Sequence, residues 1–462
     1  MTAPSTAPAQ SRSGHWIEQW DPEDEAFWES GGRRIARRNL AFSVISEHIG
    51  FSVWSMYSVL ALFMGPAYGI DPAGKFFLVA VASLVGAVLR VPYGFAVARF
   101  GGRNWTIFSA GLLLVPTTAL LIVMEPGTSY GTFMAVAVLT GVGGANFASS
   151  MTNINSFYPL RLKGWALGMN AGGGNIGVAV VQLVALLVIG TAGAGHPRLL
   201  LGIYIPLIVL ATVLSSRYMD NLAPVRNDSG AAREAVKEAH TWIMSFLYIG
   251  TFGSFIGYSF AFGLVLQNQF GRTPLQAASL TFIGPLLGSL IRPVGGQLAD
   301  RLGGARVTLW NFALMSVAAT VVVIASVRHS LPLFIGGFIA LFVLTGVGNG
   351  SAYKMIPGIF RAKAGSKGMT GEAAAVYARR LSGASMALIG AVGALGGLGI
   401  NLALRQSFLT AGTGTGAFVA FLAYYGLCFA VTWAVYLRRP AAESQAEASA
   451  SEANPQLSYA EV

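Results

Sequence analysis

The chain has 462 residues, 54% hydrophobic and 11% charged, with a mean hydropathy of +0.60. Soluble domains carry about 25% charged residues, so the composition excludes a soluble fold. The apolar runs have the roughly 20 residues of helical spans, not the ~10-residue alternation of a barrel, and indicate an all-α membrane protein. The net charge of +11 is spread over short connections rather than one soluble face, which argues against nucleic acid as a partner. The single cysteine, Cys428, leaves no intrachain disulfide and, with no visible ligand cluster, no metal or cofactor site.

Residues 1–38 form a polar tail without a visible signal peptide. Within it, Asp21-Pro22-Glu23 reads as an N-cap, a first-turn proline and a first-turn acid. The following Phe27 and Trp28, with Arg33, Arg34, Arg37 and Arg38, suit either a helix in the membrane interface or a solvated lead-in. Twelve spans follow, at roughly 39–64, 75–98, 104–124, 130–156, 164–190, 199–218, 241–269, 275–299, 306–327, 332–358, 380–405 and 414–437. A polar linker, 219–240, separates a first bundle (39–218) from a second (241–437). The tail 438–462 is Ala/Glu/Ser-rich after Pro440 and reads as disordered.

Span one carries Glu47-His48, and Glu47 is the only carboxylate expected inside any span. His48 points about 100° away on a helix and reads as a hydrogen-bonded helix residue rather than a proton relay. Span two contains Leu84-Val-Gly-Ala-Val-Leu-Arg90, then Arg99-Phe-Gly-Gly102. Span eight repeats the pattern as Leu286-Leu-Gly-Ser-Leu-Ile-Arg292, then Arg301-Leu-Gly-Gly304. A second echo joins span four, Thr140-Gly-Val-Gly143, to span ten, Thr345-Gly-Val-Gly348. The chain is thus a duplication, and two parallel six-helix bundles related by pseudo-symmetry are the major facilitator architecture. Of the Lys and Arg residues, 22 fall in the tails and even-numbered loops and five in the odd loops, which puts both termini in the cytoplasm.

A charge at mid-bilayer costs about 2.5–3.5 kcal/mol on insertion scales and is kept for a partner. Arg90 and Arg292 therefore each need either a carboxylate, of which only Glu47 is at hand, or a ligand. A guanidinium offers a planar donor fork suited to a small oxyanion. Arg99, Asp300 and Arg301, with the Gly-Gly pairs, form tight loops after spans two and eight, either as conformational contacts or as simple anchoring turns; Ala98 stands where the second copy has Asp300. The glycine runs of spans five (Gly164 to Gly177) and eleven (Gly390 to Gly399) read as close helix packing. Asn175, a polar amide in span five, is open between packing and an anion contact.

On the residues Trp20-Asp-Pro-Glu-Asp-Glu-Ala-Phe-Trp28, Arg38-Asn-Leu40, Leu89-Arg-Val-Pro-Tyr93, Gly144-Ala-Asn-Phe-Ala-Ser-Ser-Met151, the two glycine runs and Tyr248 to Gly257, the chain resembles the nitrate/nitrite porters, the NarK-like proteins. The resemblance covers about residues 19–438. It implies nitrate held between Arg90 and Arg292, aromatic walls from Phe147 and Phe252, and polar contacts from Tyr248 and Asn175. On residue type alone, Phe147, Phe252 and Tyr248 read as core packing. Glu47-His48 replaces apolar residues of the exchangers that this chain resembles, Lys354 replaces a neutral amide, and Gly390 replaces a serine. Glu47 and Lys354 are then expected in the cytoplasmic third, pairing across the halves as a proton-coupled gate.

The expected function is nitrate import by alternating access in the inner (plasma) membrane, as a nitrate/proton symporter serving nitrate assimilation. Nitrate/nitrite exchange is the alternative, and transport of another small monoanion ranks below it. Neither an enzyme, a sensor nor a channel is expected. The partners are nitrate, nitrite, protons and lipid, with a monomer as the default for this architecture.

Overall fold

The computed structural model describes residues 15–225 and 228–438. Helices supply nearly all of it. Eleven are long and apolar enough to cross a membrane: α2 (Pro72–Phe100), α3 (Gly102–Val123), α4 (Tyr130–Phe157), α5 (Leu160–Ala192), α6 (Pro197–Tyr218), α7 (Ala239–Phe270), α8 (Pro274–Leu302), α9 (Gly304–Val327), α10 (Leu331–Ser366), α11 (Gly371–Ala411) and α12 (Thr415–Leu437). The twelfth, α1, runs Arg33–Trp54 and continues as Met56–Leu60 after a break at Ser55. Four arginines in its first six residues make its start polar, yet it packs between α4, α5 and α6 like the others.

Local sequence sets the helix ends away from the linker. Asp71 caps α2 ahead of Pro72, Ser129 caps α4, and Thr273 with Gln276 forms a capping box before α8. At the linker end, α2 and α8 both stop at a glycine of positive φ: Gly101 at 87° and Gly303 at 85°. An L-residue with a side chain is strained there, so both copies of the expected tight turn are built on the same backbone device. Helices α10 and α11 overrun their expected ends: α10 reaches Ser366 and α11 begins at Gly371. Hydropathy marks where lipid stops, whereas Arg361-Ala-Lys-Ala and Glu372-Ala-Ala-Ala continue as good helix formers in water.

The N-terminal segment departs from the expected interfacial helix. Asp24, not Asp21, caps the helical turn Glu25–Phe27, accepting from Ala26 and Phe27 N–H groups. Trp28 is 1% exposed and meets Tyr158 edge-on at 5.7 Å. Its indole is inside a small second core with Ile17, Leu40, Ile154 and Phe157, rather than against lipid. Glu23 accepts a hydrogen bond from the Leu160 N–H at 2.9 Å and so caps α5 from a distance. Strand β1 (Trp16–Ile17) pairs in parallel with β2 (Asn221–Leu222), and Asp220 beside β2 accepts from Arg38 at 2.6 Å and Asn39 at 2.8 Å. The start of the linker is thereby tied to the first bundle.

The rest of the linker is tied to the second bundle. Its helix, Ser229–Lys237, is capped by Asp228. Asp228 pairs with Arg380 of α11, Glu234 lies 3.5 Å from Lys367, and Glu238 pairs with Lys363 of α10. The 438–462 tail, apart from Arg438, lies outside the described residues.

Between the bundles, α2 packs along α11 and α5 along α8. The end away from the linker is sealed across that seam. Gln182 donates to the Ser259 carbonyl at 2.8 Å, Gln267 to the Leu62 carbonyl at 3.2 Å, and Phe76 stacks on Phe408 at 5.3 Å. Toward the linker the bundles part around a cavity of ≈ 380 Å³, which reaches from Arg90, Phe147 and Gly390 down to Asp228, Val236 and Arg380.

Candidate functional site

Arg90 sits midway along α2 and is 2% exposed. Its Nε donates to the Gly144 carbonyl at 3.1 Å and its Nη1, across the seam, to the Gly390 carbonyl at 2.8 Å. Its Nη2 has no hydrogen-bond partner among the described residues. Arg292, 7% exposed on α8, donates from Nη2 to the Tyr248 hydroxyl at 3.1 Å and leaves Nη1 without a partner. Neither guanidinium forms an ion pair among the described residues. A buried cation with an unused donor is expensive unless something negative meets it. The carboxylate-pair reading of the two arginines therefore has no support in the geometry.

Aromatic rings enclose these cations. The Arg90 guanidinium lies 4.6 Å from the Phe147 ring centre, 5.0 Å from Phe252 and 5.4 Å from Trp54. Phe147 and Phe252 come from opposite bundles and stack at 6.0 Å and 28°. Tyr248 lies nearly parallel to Phe252 at 5.3 Å and meets Tyr353 at 5.0 Å. Tyr353 in turn lies under Arg292, 5.8 Å from its guanidinium, and donates to the Met386 carbonyl. Such faces hold a cation by their quadrupole and exclude water, leaving the guanidinium edge for an anion. The structure thus brings together five of the expected residues: Arg90, Arg292, Phe147, Phe252 and Tyr248. Tyr353 was not singled out from sequence; a tyrosine in an apolar run looks like packing, and only its neighbour Lys354 stood out.

Asn175 is 1% exposed, with neither amide atom hydrogen-bonded among the described residues. Asn146, on the turn of α4 before Phe147, is in the same condition. Buried amides normally find partners, so both are polar groups in want of one, although neither is among the residues lining the cavity.

Glu47 is fully buried, but its expected partner is elsewhere. Lys354 donates to both Asp300 oxygens at 2.9 Å, inside its own bundle. Glu47 Oε2 accepts from Ser150 of α4 and, at 2.7 Å, from Asn170 Nδ2 of α5; Ser150 also meets Ser43 at 3.0 Å. Glu47 Oε1 has no partner among the described residues. The cross-bundle Glu47–Lys354 pair is accordingly corrected. A lysine's four-carbon stem reaches toward the polar end of the membrane, and Asp300 waits there on the neighbouring helix. Glu47 itself lies near the middle of the α1 helix. His48 donates from Nδ1 to the Gly173 carbonyl at 3.2 Å, in keeping with a hydrogen-bonded helix residue.

Of the loop-motif residues, Asp300 is held by Lys354, and the Arg99 guanidinium lies 5.6 Å from the Phe100 ring. Arg301 closes α8 in its last turn. The three do not converge on the central cavity, whose lining includes none of them.

Three comparisons with known proteins bear on this geometry. The family model described as Major Facilitator Superfamily matches residues 43–384. The chain is 37% identical to the nitrate/nitrite transporter NarU of Escherichia coli (strain K12), over 93% of this chain and 98% of that one. It is 31% identical to the probable nitrate/nitrite antiporter NarK2 of Thermus thermophilus, over 94% and 99%. Among solved structures, a bacterial homolog of the human lysosomal transporter Spinster superposes with a TM-score of 0.61 at 14% identity. That match covers 85% of this chain and 95% of the other, and speaks for the fold alone.

Proposed function

Because this chain belongs to the nitrate/nitrite transporters of the major facilitator superfamily, we propose that it imports nitrate by alternating access, coupled to protons. One observation carries the reading: two buried guanidiniums from opposite bundles, each with an unused donor and no carboxylate partner among the described residues, flank one aromatic chamber. Nitrate is flat, carries one negative charge and accepts hydrogen bonds at its edge. Arg90 and Arg292 would supply charge and donors, Phe147 and Phe252 the walls, and Tyr248 and Asn175 further polar contacts. Tyr353, which meets Tyr248 and lies beneath Arg292, joins them.

Transport then follows from which end is sealed. With the linker at the cytoplasmic face of the inner membrane, the conformation described opens inward. Closing it requires α2 and α5 to rock against α11 and α8, breaking the Gln182 and Gln267 bonds and drawing the linker ends together. Arg90 already bonds across the seam to Gly390, so the ligand-binding cation moves with the rocking. In this reading Asp300, Lys354, Arg99 and Arg301 act at the linker-end turns rather than on the ligand.

Inward movement of one negative charge opposes about 2.3 kcal/mol per 100 mV of membrane potential. Glu47, the buried acid of α1, is the group that would take up the compensating proton. The second reading, nitrate/nitrite exchange, is favoured by the name of the Thermus relative, an antiporter. Purified protein in liposomes separates the two. Symport predicts that an inward proton gradient drives nitrate accumulation into vesicles lacking nitrite; uptake that requires internal nitrite and ignores the proton gradient would establish exchange.

A further inference from the structure

Glu47 has a counterpart in the second bundle, and the counterpart is a ligand-site residue. The duplication relates α1 to α7 at one constant spacing, visible in how glycines of other helices press on them. A Cβ on Gly86 would strike Trp54, and one on Gly288 would strike Phe255. A Cβ on Gly143 would strike Gly50, and one on Gly348 would strike Thr251. In the same register, a Cβ on Gly174 of α5 would lie 2.4 Å from Glu47 Oε1, and one on Gly393 of α11 would lie 2.4 Å from Tyr248 Cδ1. Glu47 thus occupies in the first bundle the niche that Tyr248 occupies in the second. Tyr248 uses that niche to hold Arg292.

We propose that Glu47 is the third charge of the anion site, and that its protonation keeps the site's net charge the same with and without nitrate. The inference rests on the nitrate/proton reading above. Empty, the site holds two guanidinium cations and one carboxylate, a net single positive charge. Loaded, nitrate brings one negative charge and the proton on Glu47 removes another, so the net charge is again a single positive. Equal charge in the two crossing forms means that membrane potential acts equally on the loaded and the returning carrier. One proton moves per nitrate, and the cycle is electroneutral.

The surroundings of Glu47 fit this role. Ser150 and Asn170 both donate to Oε2, which fixes the carboxylate as positioning residues, while Oε1 is left to receive the proton. Of the titratable groups on helices packed against α1, Arg90 of α2 acts on the carboxylate, as does Arg292 of α8 from the other bundle. Tyr204 of α6 instead faces Ser52, more than a turn away. Arg103 of α3 is engaged with the Ser216 carbonyl, and Arg161 of α5 with Glu25, both at the linker end, as are Lys163, Arg217 and Glu29.

The test is nitrate uptake into proteoliposomes with pyranine inside, at a range of potassium/valinomycin potentials. The expected wild-type result is one proton entering per nitrate, with no net current and a nitrate accumulation that does not change with potential. Glu47→Gln, which keeps an oxygen for Ser150 and Asn170, should lose pH-driven uptake, and its remaining nitrate flux should become potential-dependent. Ser150→Ala should move the pH profile of uptake, and Ser150→Thr should restore it. Proton-driven uptake that carries current in the wild type, or pH-driven electroneutral uptake in Glu47→Gln, overturns the inference and leaves the symport reading standing. Uptake without proton movement overturns both. The wild-type stoichiometry and potential measurements decide the matter even if the Gln variant fails to fold.

Discussion

At the scale of single residues, the fork of an arginine matters more than its charge. Arg90 spends two of its donors on the Gly144 and Gly390 carbonyls and still has Nη2 to offer. A lysine carries the same charge with a compact head that cannot reach all three directions. Arg90→Lys and Arg292→Lys should therefore each weaken nitrate binding about tenfold or more, the scale of one charge-assisted hydrogen bond of about 1.5–3 kcal/mol; equilibrium binding to the purified variants in detergent would measure it. These two positions were legible in the sequence because a cation in an apolar run has few innocent explanations. Ser150 and Asn170 were not, because short polar side chains commonly bond back to their own helix. Lys354 was misread for another reason: sequence gives the helix on which a lysine starts, but its stem decides where the ammonium ends.

At the scale of elements, the linker helix is fastened to α11 by a pair whose pH behaviour is separable from that of the site. The hydrogen bond from Arg380, with the Ala231 N–H, holds the Asp228 carboxyl below its usual value, at about 2. A depressed carboxyl stabilises the clasp at all pH values above its ordinary range near 4, and that contribution is lost only as pH falls toward 2. Between pH 5 and 8 the clasp is constant. Asp228→Asn should alter the uptake rate by a similar factor at every pH in that window, leaving the shape of the pH profile unchanged. A profile that shifts in this variant would place proton sensing at the cavity mouth instead of at Glu47. The helix ends near this clasp were also where sequence reading fell short. Lipid-facing hydropathy ends at the membrane surface, but α10 and α11 run on into water on ordinary helix formers.

At the scale of the whole molecule, the balance between conformations rests on a few contacts at the sealed end. Gln182 is one of them, bonding α5 to the α7 backbone across the seam. Removing one such bond is worth about 1 kcal/mol, so Gln182→Ala should move the population toward the form open at the end away from the linker by roughly fivefold. Spin labels at Thr128→Cys and His329→Cys, in loops of opposite bundles at that end, would report it as a longer distance. The native Cys428 is buried, which suits the labelling. The twofold plan of the fold was legible from the repeated Arg, Gly-Gly and Thr-Gly-Val-Gly patterns. The direction in which the cavity opens was not, because both conformations use the same helices and differ only in which end of the seam is packed.

The anchoring of the linker sets a limit on that motion. Strand β1, Asp220 and the hydrogen bond from the Ala223 N–H to the Ile17 carbonyl bind the linker to the first bundle, and Asp228 binds it to the second. Ala223 and Asp228 are five residue steps apart, a chain length of roughly 17 Å when fully extended. The linker is therefore a leash of fixed length: the two anchor points can swing apart only until it draws taut. Lengthening it with inserted Gly-Ser would widen the opening at the linker end without touching a single ligand contact.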